Sequence, residues 1–156
     1  MLVFAKAAIA EHHVERFLWW LVSLESLLGR KEDKIEETIA QRLRVLCHPW
    51  YVDRKLAEVF KRTYNARSRI VHGEQDEPAD IEALGIDAFA LARGAAVRMI
   101  YLLGELSSES KHNVRNRNAI LKAIGSLHTE QERGADELAA EIASILRNKP
   151  FRWPAF

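Results

Sequence analysis

Apolar residues recur every three or four positions along most of this chain, which is the spacing of one face of an α-helix. The clearest run covers residues 5–28 and ends before Gly29. Its inward positions are Val14, Phe17, Leu18, Leu21, Leu24 and Leu28. A second segment reaches Cys47, with Asp33 as its expected N-cap and Pro49 as its stop. The apolar positions of this second segment are Ile35, Ile39, Leu43 and Leu46.

Two further helices follow the same rule. Residues 53–71 carry an apolar stripe in which Arg67 takes a position that an apolar residue would normally fill; the other members are Leu56, Val59, Phe60, Tyr64 and Val71. For residues 87–106 we expect Arg93 near an inward face of Phe89, Ala90, Val97, Ile100 and Leu103. Residues 119–127 and 136–146 are shorter helices, and no stretch alternates like a β-strand.

The pattern therefore predicts one all-α domain. We expect an antiparallel bundle of four main helices over about residues 5–106, followed by one or two shorter helices over about residues 119–149. With 156 residues and 48% hydrophobic content, the chain is long enough to bury a substantial core.

Arg67 and His72 are the strongest candidates for chemistry. A buried guanidinium requires a partner or an anion, and an imidazole both donates and accepts protons near neutrality. On an ideal helix the two are about 140° apart, so they point together only where the helix ends. Gly73 is suited to end it, because glycine readily adopts the left-handed conformation that closes helices. This arrangement suggests a phosphate-handling site, and the alternative is an arginine reaching for solvent beside a histidine that caps a helix.

Residues 64–73, Tyr-Asn-Ala-Arg-Ser-Arg-Ile-Val-His-Gly, closely resemble the signature Tyr-x-x-Arg-Ser-x-Ile-Val-His-Gly of the Apea-like branch of the HEPN superfamily. Residues 17–28 resemble the first-helix pattern of that family, an apolar run with a Leu-Glu pair. The resemblance spans roughly residues 17–106. It implies a helical domain that forms a homodimer, in which two Arg-x4-His elements meet across a two-fold axis.

In active members of the family that composite cleft is a metal-independent endoribonuclease. The resemblance implies that His72 is the general acid or base, that Arg67 stabilises the charged transition state, and that cleavage leaves a 2′,3′-cyclic phosphate. Tyr64, Asn65, Ser68 and Arg69 are then the substrate-binding residues. Ser68 stands where many active relatives carry Asn, Asp or His.

Two other functions remain open from the sequence. One is a non-catalytic module that binds RNA, a nucleotide or a separate partner or inhibitor protein, and the other is a structural dimerisation domain. The resemblance also suggests a role in defence or stress.

The formal net charge of +1 argues against a chain that binds polyanions over its whole surface, so any RNA contact requires a local patch. Three groups of cations are candidates: Arg42 with Arg44; Lys61, Arg62 and Arg69; and Lys111, Arg115 and Arg117. Cys47, the single cysteine, excludes an internal disulfide and is expected to be a small buried residue. No stretch approaches the ~20 apolar residues of a membrane span, and we expect a cytoplasmic protein.

The sequence predicts neither a metal site nor a cofactor. Only one Glu-x-x-His element occurs, at residues 109–112, whereas a di-metal bundle needs two such elements and two further glutamates. His12 and His13 are adjacent and point about 100° apart on a helix, which does not suit a shared metal ion.

Overall fold

The computed structural model describes residues 2–31, 33–47, 55–74, 78–109, 116–127 and 137–148. Within these ranges the chain forms helices and no strand, which confirms the all-α prediction. The helices are α1 (Leu2–Ile9), α2 (His13–Leu28), α3 (Ile35–Leu46), α4 (Lys55–Val71), α5 (Ile81–Glu109), α6 (Arg117–Ser126) and α7 (Glu137–Asn148). None of these helices combines the length and the hydropathy needed to cross a membrane.

The prediction of one helix over residues 5–28 is wrong in one respect, because the helix is interrupted between α1 and α2. His12 is extended, with φ −86° and ψ 135°. The guanidinium of Arg16 donates two hydrogen bonds to the carbonyl oxygen of Ala10, from Nε at 3.1 Å and from Nη2 at 2.7 Å. This side chain satisfies a carbonyl at the end of α1 and lets α1 fold back on α2, where the Phe4 ring meets the Trp20 ring edge-on.

The core lies mainly between α2 and α5, the pair of helices with the most extensive contact. From α2 it takes Phe17, Leu21, Leu24 and Leu28, as the periodicity predicts. From α5 it takes Ala88, Ala92 and Ala95, whose small side chains let the two helices approach closely, together with Leu91, Met99, Leu102 and Leu106. Burying one large apolar side chain of this kind contributes about 1.5–3 kcal/mol.

Gly29 ends α2 as predicted. Its N–H donates to the carbonyl of Glu25 at 2.7 Å, and a Cβ at this position would lie only 2.6 Å from that same oxygen. Any larger residue would therefore have to push the end of α2 apart.

The predicted inward face of α5 is only partly correct, because Phe89 packs against the core and the Trp20 ring but three of the other predicted residues do not. Val97, Ile100 and Leu103 point outward, and Ile100 is 71% exposed. Apolar residues occupy two interleaved stripes of this 29-residue helix, and the alanine-rich stripe is the one that packs on α2. Periodicity alone cannot choose between two apolar faces of one helix.

Asp33 is not the N-cap of α3. The cap position belongs to Lys34, which makes no side-chain capping bond. Instead the Asp33 carboxylate accepts hydrogen bonds from the Arg30 N–H and from Nη1 of Arg42. Three of the four predicted apolar positions of α3, Ile39, Leu43 and Leu46, are fully buried, and the fourth, Ile35, is half-buried against the core.

Arg42 is a buried charged residue, with only 2% of its surface exposed. Its guanidinium donates to the carbonyls of Leu28 and Leu121 as well as to Asp33. One charged group therefore ties α3 to the end of α2 and to α6. Its place in the predicted RNA-binding patch is wrong, because the side chain does not reach the surface.

The C-terminal helices α6 and α7 agree with the predicted segments. Asn116 caps α6 by accepting hydrogen bonds from the N–H groups of Asn118 and Ala119. Pro49, the predicted stop of α3, lies outside the described residues.

Cys47 is buried and free, as predicted. Burial raises the pKa of its thiol to about 12, although the positive charge of Arg98 acts in the opposite direction. We therefore expect no reaction with a maleimide in the folded protein at neutral pH and full reaction in denaturant, because the thiolate is the reactive form. Mass spectrometry of samples labelled under the two conditions checks this, and rapid labelling without denaturant would contradict it.

Candidate functional site

Helix α4 ends in the way that the sequence predicts. Gly73 has a φ of 70°, its N–H donates to the carbonyl of Ile70, and the N–H of Glu74 donates to the carbonyl of Arg69. These two bonds form the Schellman closure of a helix, and His72 is the last residue before the left-handed glycine. Val71 departs from the prediction, because it is 57% exposed instead of buried.

Arg67 lies on the inner side of α4 and pairs with a carboxylate of α2. Its Nη2 is 3.2 Å from Oε2 of Glu25, and 23% of the Arg67 side chain and 21% of the Glu25 side chain are exposed. The Tyr64 ring lies one turn earlier, 5.6 Å from the guanidinium carbon. Leu24 and Glu25 belong to the first-helix pattern, so this ion pair joins the two segments that carry the resemblance.

The surroundings of Arg67 are partly acidic. Burial raises the pKa of Glu25, while the charge of Arg67 acts against that rise. Burial also raises the pKa of the Tyr64 hydroxyl; Glu25 adds to the rise, Arg67 opposes it, and Glu36 of α3 adds to it. Two carboxylates therefore act on the same cluster as the single guanidinium.

The hydrogen bonding of this pair is incomplete within the described part of the chain. Oε1 of Glu25 and Nε of Arg67 are both buried and have no hydrogen-bond partner there. Leaving a charged group only partly satisfied costs free energy. In native structures such groups are explained by bound water or an ion, by strain, or by a catalytic role.

His72 does not join Arg67 within one chain. The Arg67 guanidinium is directed at α2, whereas the His72 side chain is exposed beyond the end of α4. The expectation that the end of the helix turns both side chains to one side is wrong for a single subunit. The physical reason is that the N–H of His72 still bonds to the carbonyl of Ser68 at 3.0 Å, which keeps His72 at its helical angle.

The other predicted site residues lie in three different settings. Asn65 and Arg69 are exposed and line a groove of about 510 Å³ together with Lys61 and Arg62. Tyr64 lies with Arg67 on the inner side. Ser68 is half-buried, and its main-chain carbonyl supports the end of the helix, so its role as a substrate-binding residue stays a prediction.

Three groups of cations were predicted as RNA contacts. Among the described residues, the group on α4 is the one whose side chains line a common groove. Arg117 is directed at the end of α2, where its Nη2 donates to the carbonyls of Ser26, Leu27 and Gly29. Arg44 is exposed on α3, while Lys111 and Arg115 lie outside the described residues.

His13 contacts the carboxylate of Glu82 on α5. Its Nε2 is 3.3 Å from Oε1 of Glu82, which joins α2 to α5. Across the described ranges, no group of three or more His, Cys, Asp and Glu residues is arranged to hold a metal ion.

Comparison with known proteins finds no matching family model and no significant match among curated proteins or solved structures.

Glu25 is the residue of this site to which sequence reasoning assigned no role. A signal was present, since Glu25 lies four residues after Leu21 and three before Leu28 and so flanks the buried stripe of α2. Glu25 lies beside the buried stripe of α2 and Arg67 lies on the stripe of α4, and their charges are opposite. Only the packing of α2 against α4 shows that they meet.

Proposed function

We propose that this protein is an RNA-processing domain of the Apea-like HEPN type that cleaves RNA without a metal ion. The observation that carries the proposal is the exposed imidazole of His72 at the closed end of α4, beside a groove lined by Lys61, Arg62 and Arg69. A proton-transfer group at the end of a cationic surface suits a phosphodiester substrate.

The proposed chemistry needs no group beyond the chain and its RNA. A ribose 2′-oxygen loses its proton to His72 and attacks the adjacent phosphorus. The 5′-oxygen leaves and takes a proton from the imidazolium that has formed. The products are a 2′,3′-cyclic phosphate and a free 5′-hydroxyl. In the proposed composite site, Arg67 of one subunit faces His72 of its partner across a two-fold axis and stabilises the charge that develops on the phosphate.

The ion pair between Glu25 and Arg67 gives Arg67 a defined position. A guanidinium held by a carboxylate on one edge retains other N–H donors for an anion. Among the described residues, Nε of Arg67 and Oε1 of Glu25 have no hydrogen-bond partner, which is compatible with a polar ligand or ordered water at this ion pair.

The decisive experiment uses the purified full chain, end-labelled RNA and excess chelator. We expect cleavage products with a 2′,3′-cyclic phosphate, identified by mass spectrometry and by their resistance to phosphatase until the ring is opened with acid. Intact RNA would contradict the proposal, and so would cleavage that stops when chelator is added. A monomer in light scattering, at concentrations where RNA is cut, would contradict the composite site alone.

The same ion pair favours a second candidate, a non-catalytic module. Glu25 already occupies Arg67, and Glu36 adds a further negative charge nearby, so a phosphate would have to compete with carboxylates. Binding of RNA or a nucleotide without cleavage, seen as a raised melting temperature, would select this function.

A structural dimerisation domain is the third candidate. It is favoured by Val97, Ile100 and Leu103 of α5, which are exposed to solvent in the described part of the chain. A stable dimer that neither binds nor cleaves RNA would select this function over the other two.

A further inference from the structure

The solvent side of α4 carries a continuous polar stripe. It consists of Glu58, Lys61, Arg62, Asn65 and Arg69, which repeat at the spacing of one helix face and line the groove with Pro78, Asp80 and Leu84. The groove, of about 510 Å³, is within the ~300–1,000 Å³ range of pockets that hold small ligands. It therefore has room for a segment of an extended chain.

His72 belongs to this side of α4. On an ideal helix it lies about 20° from Asn65 and about 60° from Arg69, but about 140° from Arg67. The hydrogen bond from the His72 N–H to the Ser68 carbonyl shows that the helical position persists to this residue. Within one chain, the arginine that shares a face with the imidazole is consequently Arg69.

The groove is lined by three cations, Lys61, Arg62 and Arg69, and by two carboxylates, Glu58 and Asp80. Arg62 pairs with Asp87 of α5, and Glu58 lies one turn before Arg62, far from the end of the helix. Lys61 and Arg69 are exposed, and neither is joined to a carboxylate among the described residues. Arg67, in contrast, is paired with Glu25.

We infer that this groove binds single-stranded RNA, with Lys61 and Arg69 on its phosphates, so that the strand follows α4 and presents the next phosphodiester to His72. Asn65 lies between the two cations and has both a donor and an acceptor for a ribose or a base edge. Lys61 and His72 are about 16 Å apart along the helix axis, which leaves room for more than one phosphate. The inference deepens the proposed function, on which its cleavage step rests, but RNA binding by the groove can be tested without cleavage.

The test measures RNA affinity against salt concentration for the His72→Ala protein, with a short fluorescent single-stranded RNA in chelator. The double change Lys61→Gln with Arg69→Gln is added to this parent. Its matched control is Lys122→Gln with Arg147→Gln, which removes one exposed lysine and one exposed arginine from α6 and α7. Arg69 and Arg147 both lie in the last turn of their helices, so the loss of a favourable helix-end charge is the same.

We expect the groove variant to bind about 2- to 25-fold more weakly, since each of the two exposed charge contacts contributes a factor of about 1.5 to 5. The slope of log affinity against log salt should become shallower by about 1.4, because each phosphate contact on a single strand contributes about 0.7. The control pair should change neither quantity, and the melting temperatures of all variants should agree.

Equal binding by the groove variant and the control pair would overturn the inference. So would a parent that does not bind RNA, or an Arg67→Gln variant that loses the salt slope while the groove variant keeps it. Full displacement of the RNA by poly-glutamate at matched charge would show that the groove binds acidic polypeptides as well as RNA. That result would also overturn the inference. RNA binding through the groove without cleavage by the wild type would refute only the proposed function.

Discussion

Replacing His72 with alanine should lower the rate of RNA cleavage by about 10²- to 10⁴-fold, the usual contribution of a positioned acid–base group. The effect should be on chemistry and not on folding. The His72 side chain is exposed, and the closure of α4 uses main-chain atoms of Ile70, Gly73 and Glu74. Single-turnover cleavage with enzyme in excess isolates the chemical step, and circular dichroism follows the melting temperature.

His12→Ala is the matched control for this prediction. His12 is likewise exposed at a helix end, and it makes no side-chain capping bond to α2. We expect it to cleave RNA at the wild-type rate. If both histidine variants retain wild-type activity, His72 is not the proton-transfer group, and any cleavage by the protein has another origin.

Changing Asp33 to asparagine should lower the free energy of unfolding by about 3–5 kcal/mol, the range expected when a buried ion pair loses one partner. Asparagine leaves the guanidinium of Arg42 buried without a counter-charge, and only 2% of that residue is exposed. The loss of stability should involve α2, α3 and α6 together, because Arg42 of α3 also donates hydrogen bonds to the carbonyls of Leu28 and Leu121. Urea unfolding monitored by circular dichroism measures the change.

Asp87→Asn provides the matched control for Asp33→Asn. It breaks the same kind of ion pair, but its partner Arg62 is mostly exposed. Exposed pairs contribute about 0–1 kcal/mol, so this variant should be close to the wild type. Equal destabilisation by the two changes would show that burial of Arg42 is not what makes Asp33 important.

The effect of Asp33 should also depend on pH. Burial alone would raise its pKa, but the hydrogen bond and charge of Arg42, with the N–H and charge of Arg30, outweigh burial and hold the pKa below its ordinary value. The stabilisation is therefore present above the ordinary aspartate pKa and is lost as the pH falls through the lower pKa of the folded state. The difference in stability between the wild type and Asp33→Asn should shrink over that acidic range.

Glu25 acts in the opposite sense, because its pKa is raised. Its contribution is fully present below the ordinary glutamate pKa and is lost as the pH rises through the raised value. Since Glu25 is the same in the wild type and in Asp33→Asn, the comparison isolates Asp33. A difference that stays constant down to strongly acidic pH would contradict the role of its carboxylate.

The local features of this protein follow from its sequence alone. The three- and four-residue periodicity predicted the helical segments, with α1 and α2 merged into one, and Gly73 predicted where α4 stops. These features depend on backbone conformation and on neighbours within a few residues along the chain. Cys47 was predicted as a buried residue for the same reason, since it continues the apolar stripe of α3.

The tertiary structure alone decided which partner each charged residue has. Asp33 looked like a helix cap and Arg42 like a surface cation, but packing brings the two together across 9 residues of sequence. Arg67 and His72 are close in sequence, yet packing assigns one to Glu25, 42 residues away, and leaves the other on the face of Arg69. Tertiary packing also decides that Ile100 is exposed, because the alanines of α5 are the residues that are buried against α2. The physical reason is common to all three: helix periodicity limits which residues share a face, but only the packing of helices distant in sequence selects the face that is buried and the charges that it neutralises.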